Sequence, residues 1–178
     1  MILSDKKILE EMKKGNIVIR PFNLQNMGGN SYDVHLSKYF AQYVDKTLDA
    51  KKHNKVKHFE IQEKGFVLKP GQLYLGTTTE YTETHKFVPF LEGKSSTGRL
   101  GIDIHATAGK GDVGFCGYWT MEISTSKPVR VYPEMPIAQL IYYVVEGKVE
   151  RPYNKKASAK YGNKEKWPKE SMMWKNFK

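Results

Sequence analysis

The chain has 178 residues, with 39% of them hydrophobic, 27% charged, a formal net charge of +10 and a single cysteine. That length is most simply one domain with a real core, and the lone Cys116 excludes an intrachain disulfide framework or a multi-cysteine zinc site. No apolar run approaches the ~18 residues of a membrane span and the first residues lack the apolar core of a signal peptide, so a cytoplasmic protein with no membrane partner is expected.

Ser4 caps a predicted helix over residues 5–14, with Ile8, Leu9 and Met12 on one face and Gly15 as its stop. Ile17 to Ile19 reads as a strand ended near Pro21, residues 26–30 as a glycine-containing loop, and Tyr32 to Leu36 as an alternating strand. Residues 45–57 are polar, Lys-rich and without a period, which predicts a loop. Phe59 to Ile61, Phe66 to Leu68, Leu73 to Leu75, Phe87 to Leu91, Ile102 to His105, Val129 to Val131 and the apolar run Ala138 to Val145 continue a pattern of short strands. With few helical signals, this is a mainly β chain: a sandwich, barrel or jelly roll.

The chemistry concentrates between Gly93 and Glu122. Ser95 and Ser96, beside Lys94 and Arg99, read either as turn and cap residues or as an anion cradle at a short helical turn. From Tyr118 to Ser124 the chain alternates: Trp119, Met121 and Ile123 point one way, Tyr118, Thr120 and Glu122 the other. Glu122 is either solvent-facing or a general acid/base, Asp112 a turn aspartate or a site residue, and His105 a core or interface histidine. With five histidines and no His-x-Glu followed by Pro-Cys-x-x-Cys, the zinc-hydroxide route of nucleobase deamination is not available.

Residues 151–178 hold nine Lys/Arg against two Glu, interleaved with Tyr153, Tyr161, Trp167, Trp174 and Phe177. This basic arm fits a solvated tail, a nucleic-acid-binding segment or a lid over a polyphosphate.

Motifs in order along most of the chain resemble the dCTP deaminases, which share a fold with the trimeric dUTPases. They include Leu3-Ser4-Asp5, Asn30-Ser31-Tyr32-Asp33-Val34, Pro70-Gly71-x-x-Tyr74-Leu75-Gly76, Gly93-Lys94-Ser95-Ser96-x-x-Arg99-Leu100-Gly101, His105-x-Thr107-Ala108-Gly109, Asp112-x-Gly114-Phe115 and Thr120-Met121-Glu122. In the arm, Arg151-Pro152-Tyr153-Asn154 and Ala159-Lys160-Tyr161-Gly162-Asn163 also fit.

The resemblance implies a distorted β-barrel or jelly roll of the dUTPase-like type over residues 1–150, with a short N-terminal helix. It implies a C-terminal lid over residues 151–178 and a homotrimer whose active sites are shared between subunits. Glu122 would be the catalytic acid/base of a zinc-free deamination, with Ser95 and the Ala108 carbonyl placing the attacking water. Lys94, Ser96 and Arg99 would bind phosphate, Asp112 would sit by the deoxyribose 3′-hydroxyl, and Lys160 and Tyr161 would close on a triphosphate carried with Mg²⁺. Lys110-Gly111 stands where the family usually has a larger or apolar pair, leaving Lys110 as a further substrate contact. Residues 165–178 look particular to this chain. The expected reaction is dCTP to dUTP and ammonia. The bifunctional reaction to dUMP and diphosphate ranks second and a plain dUTPase third; a nucleotide-sensing or nucleic-acid-binding protein without turnover is the non-enzymatic alternative.

Overall fold

The computed structural model describes residues 1–107, 109–162 and 164–177. Helix α1 (Asp5–Lys13) begins where Ser4 Oγ accepts from the Lys7 N–H and ends before Gly15, as the capping signals predict. Ile8 is its fully buried apolar residue, with Leu9 and Met12 only partly covered. The unexpected inward residue is Glu11, 1% exposed. Its carboxylate accepts from Asn16 Nδ2 at 2.7 Å and pairs with Lys14 and Lys7 at 3.1 and 3.2 Å.

The Asn16 amide holds the Glu11 carboxyl down to about 2 against the opposing effect of burial, with the two ammonium groups helping. A carboxyl depressed on folding contributes stability above its unfolded value of 4.5, and that contribution is lost as the pH falls toward about 2. Because Lys7 and Lys14 stand half in water, the effect is of order 1 kcal/mol. Urea denaturation of wild type and Glu11→Gln should therefore show a stability difference that shrinks by that amount over this acid window; a pH-independent difference would refute the linkage.

The sheet comprises β1 (Ile17–Arg20), β2 (Tyr32–Tyr43), β3 (Val56–Glu60), β5 (Tyr74–Thr84), β6 (Val88–Gly93), β7 (Ile102–Asp103), β8 (Cys116–Thr125) and β10 (Pro136–Tyr143). Its main path runs β6-β10-β2-β5-β8-β7, with β1 added on β5 and β3 on β2. A separate small ladder joins β4 (Phe66–Leu68) to β9 (Val129–Val131). A strip at residues 109–111 brings the sheet to a nearly closed barrel: the Leu91 N–H donates to Gly109 O and the Gly111 N–H to Pro89 O, both at 2.8 Å. The outer edge of β6 thus meets the segment that leads into β8.

Alternation decides which residues enter the core. Val34, Leu36, Phe40, Met121, Ile123, Ala138 and Leu140 are all fully buried, and each sits on the inward face of its strand. Strands β2 and β5 run well past the short segments legible in the sequence, because β10, β3 and β8 satisfy their backbone along most of their length. Among the described residues no helix is long and apolar enough to cross a membrane.

Candidate active site

The period-two pattern of β8 puts Trp119, Met121 and Ile123 into the core and leaves Tyr118, Thr120 and Glu122 on the opposite face. That face is the floor of a cavity of about 570 Å³. Glu122, His105 and Asp112 line it together with Thr120, Tyr43 and Tyr161. Such a volume suits a nucleotide-sized ligand, and the mix of carboxylates and aromatic rings suits one with a polar heteroaromatic part. Glu122 keeps 38% of its side chain exposed to the cavity, and its Oε2 lies 3.2 Å from His105 Nδ1.

Asp112 opens the turn that feeds β8, its carbonyl accepting from the Phe115 N–H at 3.0 Å. Its carboxylate pairs with Lys110 Nζ at 3.0 Å and Lys156 Nζ at 3.1 Å. Partial burial pushes this carboxyl up, but the two ammonium groups together outweigh burial and leave it below the ordinary aspartate value. It is therefore a carboxylate at neutral pH. Gly111 has a steric reason to be glycine, since a Cβ there would stand 2.6 Å from the Trp119 ring and 2.9 Å from Pro89.

The motif around Ser95 folds as predicted into a single short helix, α2 (Ser95–Arg99), but the residue at its start is Lys94 and no side chain caps it. Thr97 anchors it through a 3.0 Å bond to Ile137 O. Ser95, Ser96 and Arg99 are exposed, and Lys94 pairs with Asp33. None of these four lines the cavity that holds Glu122. Ala108 lies outside the described residues.

The arm returns to the site twice. Gly114 adopts φ +89, and a Cβ there would press on Asn154, Tyr153 and Pro152 at 2.8–3.0 Å, so only glycine seats the arm here without strain. The Tyr153 N–H donates to Val113 O at 2.7 Å, and the Tyr153 hydroxyl accepts from the Lys160 and Tyr161 N–H groups at 3.1 and 2.7 Å. This places Tyr161 on the cavity wall, whereas the Lys160 ammonium turns to Asn176.

Residues 165–171 then cross the mouth, with Lys169, Glu170 and Ser171 lining it. Trp167 packs edge-on against Tyr39 and His58, with ring centroids 4.6 and 5.2 Å away. Removing that ring should detach the strap. Trp167→Ala is expected to make the bonds after Lys164, Lys166 and Lys169 markedly more sensitive to trypsin while shifting global stability little. Mass spectrometry of a limited digest tests this, and unchanged sensitivity would show that Trp167 is not the clasp.

Over residues 2–145 the sequence matches the family described as dCTP deaminase-like. The chain belongs to that family. Among its curated relatives, a "dCTP deaminase, dUMP-forming" from Clostridium acetobutylicum is 49% identical over 177 residues, covering 99% of each chain. Proteins of the same name from Clostridium beijerinckii and Cytophaga hutchinsonii are 46% and 45% identical over the same length and coverage. The fold also matches the 2′-deoxycytidine 5′-triphosphate deaminase structure from Agrobacterium tumefaciens, with a TM-score of 0.64 and 19% identity over 81% of this chain and 48% of that longer one. The family is an enzyme family, and this dCTP deaminase-like chain is an enzyme with a mainly β, nearly closed barrel fold.

The relatives correct one expectation. Release of dUTP as the final product, ranked first from the sequence, gives way to the bifunctional reading, because relatives nearly half identical over their whole length are named dUMP-forming. In the sequence, the resemblance of Thr107-Ala108-Gly109 followed by Asp112 to the dUTPase motif was the signal for that second hydrolysis.

Sequence reasoning also missed Tyr43, Lys169, Glu170 and Ser171 as cavity residues. Tyr43 ends a strand whose far half shows no alternation, and the other three depend on how the arm folds back. His105 was legible as strand-like but not as the partner of Glu122; its place in the His105-x-Thr107-Ala108-Gly109 motif was the available signal.

Proposed function

We propose that this enzyme converts dCTP, with two waters, to dUMP, ammonia and diphosphate. The observation that carries the reading is that one cavity holds both Glu122 and Asp112, a carboxylate for each hydrolysis. In the first step Glu122 takes a proton from water as the oxygen adds to C4 of cytosine, passes it to N3, and returns a proton to the amine that leaves as ammonia. In the second, Asp112 orients a water toward the α-phosphorus, and the bond to the diphosphate oxygen breaks. Asp112 also faces the 3′-hydroxyl of the deoxyribose. Mg²⁺ arrives with the triphosphate as part of the substrate. Among the described residues, the trio of side chains close enough to share an ion is Glu83, His85 and Cys116, none of which lines the cavity.

The phosphate-binding set Lys94, Ser96 and Arg99, and Ser95 with it, comes from a second copy in a homotrimer. The exposure of Ser95, Ser96 and Arg99 on α2, with Leu100 53% exposed beside them, supports a shared site. Ala108 supplies the carbonyl that fixes the first water, and Lys110, Lys160 and Tyr161 contact the substrate's phosphate side. The arm over residues 151–178 closes on the barrel formed by residues 1–150, and the protein works in the cytoplasm.

Incubation with dCTP and Mg²⁺, resolving ammonia, dUTP, dUMP and diphosphate over time, tests the reaction. Ammonia and diphosphate in equal yield with dUMP is expected; accumulation of dUTP as the end product, or no ammonia, refutes it. For the shared site, inactive Glu122→Gln and Arg99→Ala variants, reassembled together, should recover a fraction of the activity that neither has alone.

A further inference from the structure

We infer that His105 is a positioning residue for the deamination step, holding Glu122 through Nδ1–H. The proposal rests on the deaminase reading and deepens it. Nδ1 lies 3.2 Å from Glu122 Oε2. A nitrogen lone pair facing a carboxylate at that distance would repel it, so the proton sits on Nδ1. The other nitrogen, Nε2, is buried and finds no hydrogen-bond partner among the described residues. In a charged imidazolium it would be a buried N–H without an acceptor, which is costly; in the neutral ring it is a lone pair, which is less so. The geometry therefore favours a neutral ring with its proton toward the glutamate.

That choice matters chemically. A neutral donor fixes one carboxylate oxygen and leaves the other to collect a proton. The ring is itself fixed. It is 12% exposed, and the backbone at Gly109 presses against it: a Cβ at Gly109 would lie 2.6 Å from His105 Nε2 and 1.9 Å from Leu91 O. The same Gly109 carbonyl accepts from the Leu91 N–H, so the barrel-closing strip is also the wall that stops the imidazole from turning. The glycine is thus required by close approach on both sides.

The test compares His105→Ala, His105→Asn and His105→Gln, following ammonia release from dCTP and diphosphate release from dUTP. The Asn amide nitrogen can stand where Nδ1 does; that of Gln stands where Nε2 does. The Ala variant should lose about 10²-fold in kcat for ammonia release with little change in KM, as expected when a reacting group is misplaced by about an ångström. Diphosphate release from dUTP should change by less than about threefold, Asn should recover most of the lost rate, and Gln should not. Parallel loss of both activities, full activity of the Ala variant, or equal rates for Asn and Gln overturns the proposal. If wild type itself releases no ammonia, the deaminase reading fails, and ¹⁵N spectra of His105 still decide the contact: the δ-protonated pattern supports it, and the ε-protonated pattern overturns it.

Discussion

Replacing Glu122 by Gln is expected to stop ammonia release from dCTP while leaving nucleotide binding and the conversion of dUTP to dUMP largely intact. The amide keeps the size of the side chain and can still accept from His105, but it cannot take a proton from water. General acid–base help alone is worth ~10²–10⁴-fold, and since the same carboxylate serves every proton transfer of this step, the loss should sit at the top of that range. Ammonia release measured by a coupled assay, with dCTP affinity measured by calorimetry, checks it. Deamination retained within tenfold would remove Glu122 from the mechanism; loss of binding in parallel would make it a structural residue of the cavity.

The complementary variant is Asp112→Asn. It should release ammonia at close to the wild-type rate and accumulate dUTP, with diphosphate release falling ~10²-fold or more, because a water-orienting carboxylate is replaced by an amide that also donates. Losing the carboxylate also frees Lys110 and Lys156 from their shared partner, so dCTP should not bind less tightly through charge alone. Chromatographic separation of dUTP from dUMP over a time course reads the result. If Asp112→Asn still yields dUMP, the second hydrolysis uses another base; if it loses ammonia and diphosphate equally, the two chemistries are not divided between these carboxylates.

How much of this was legible in the sequence varies with the range of the interactions. The capped helix, the alternation of β8 and the turn at Asp112 are local, written in residues two to four apart, and the structure has them where the pattern puts them. The burial of Glu11 was not legible, since an apolar count on a helix face passes over a carboxylate paired with Lys7 and Lys14 and hydrogen-bonded by Asn16. Within the site, Glu122 and Asp112 carried recognisable motifs. Tyr43 and His105 acquire their roles only when strands distant in sequence become neighbours, and Gly111 makes sense only once the Trp119 ring lies over it. The helix α2 was foreseen, but its separation from the cavity within a single chain is a property of the folded surface that no local pattern contains.

Beyond the Trp167 ring and the 2.6 Å contact of Glu170 Oε1 with His53 Nε2, the strap across the cavity mouth is held by its main chain. The Lys169 N–H bonds to Thr120 Oγ1, the Ser171 N–H to the Tyr43 hydroxyl and the Met172 N–H to the Tyr161 hydroxyl. Lys166 O accepts from Thr77 Oγ1, which is itself 2.7 Å from Ser37 Oγ, and Pro168 O lies 3.3 Å from His58 Nε2. The route of the tail is thus inscribed largely in the barrel's hydroxyls and imidazole, with Trp167, Glu170 and the arm's own Tyr161 as the side chains that fasten it. Such an arrangement partly uncouples path from letter: away from Trp167 and Glu170, most positions between 165 and 172 can drift, or be recoded to carry a fluorophore, without rerouting the segment. The same uncoupling explains why this stretch showed no motif, since the instructions it follows are stored elsewhere in the chain.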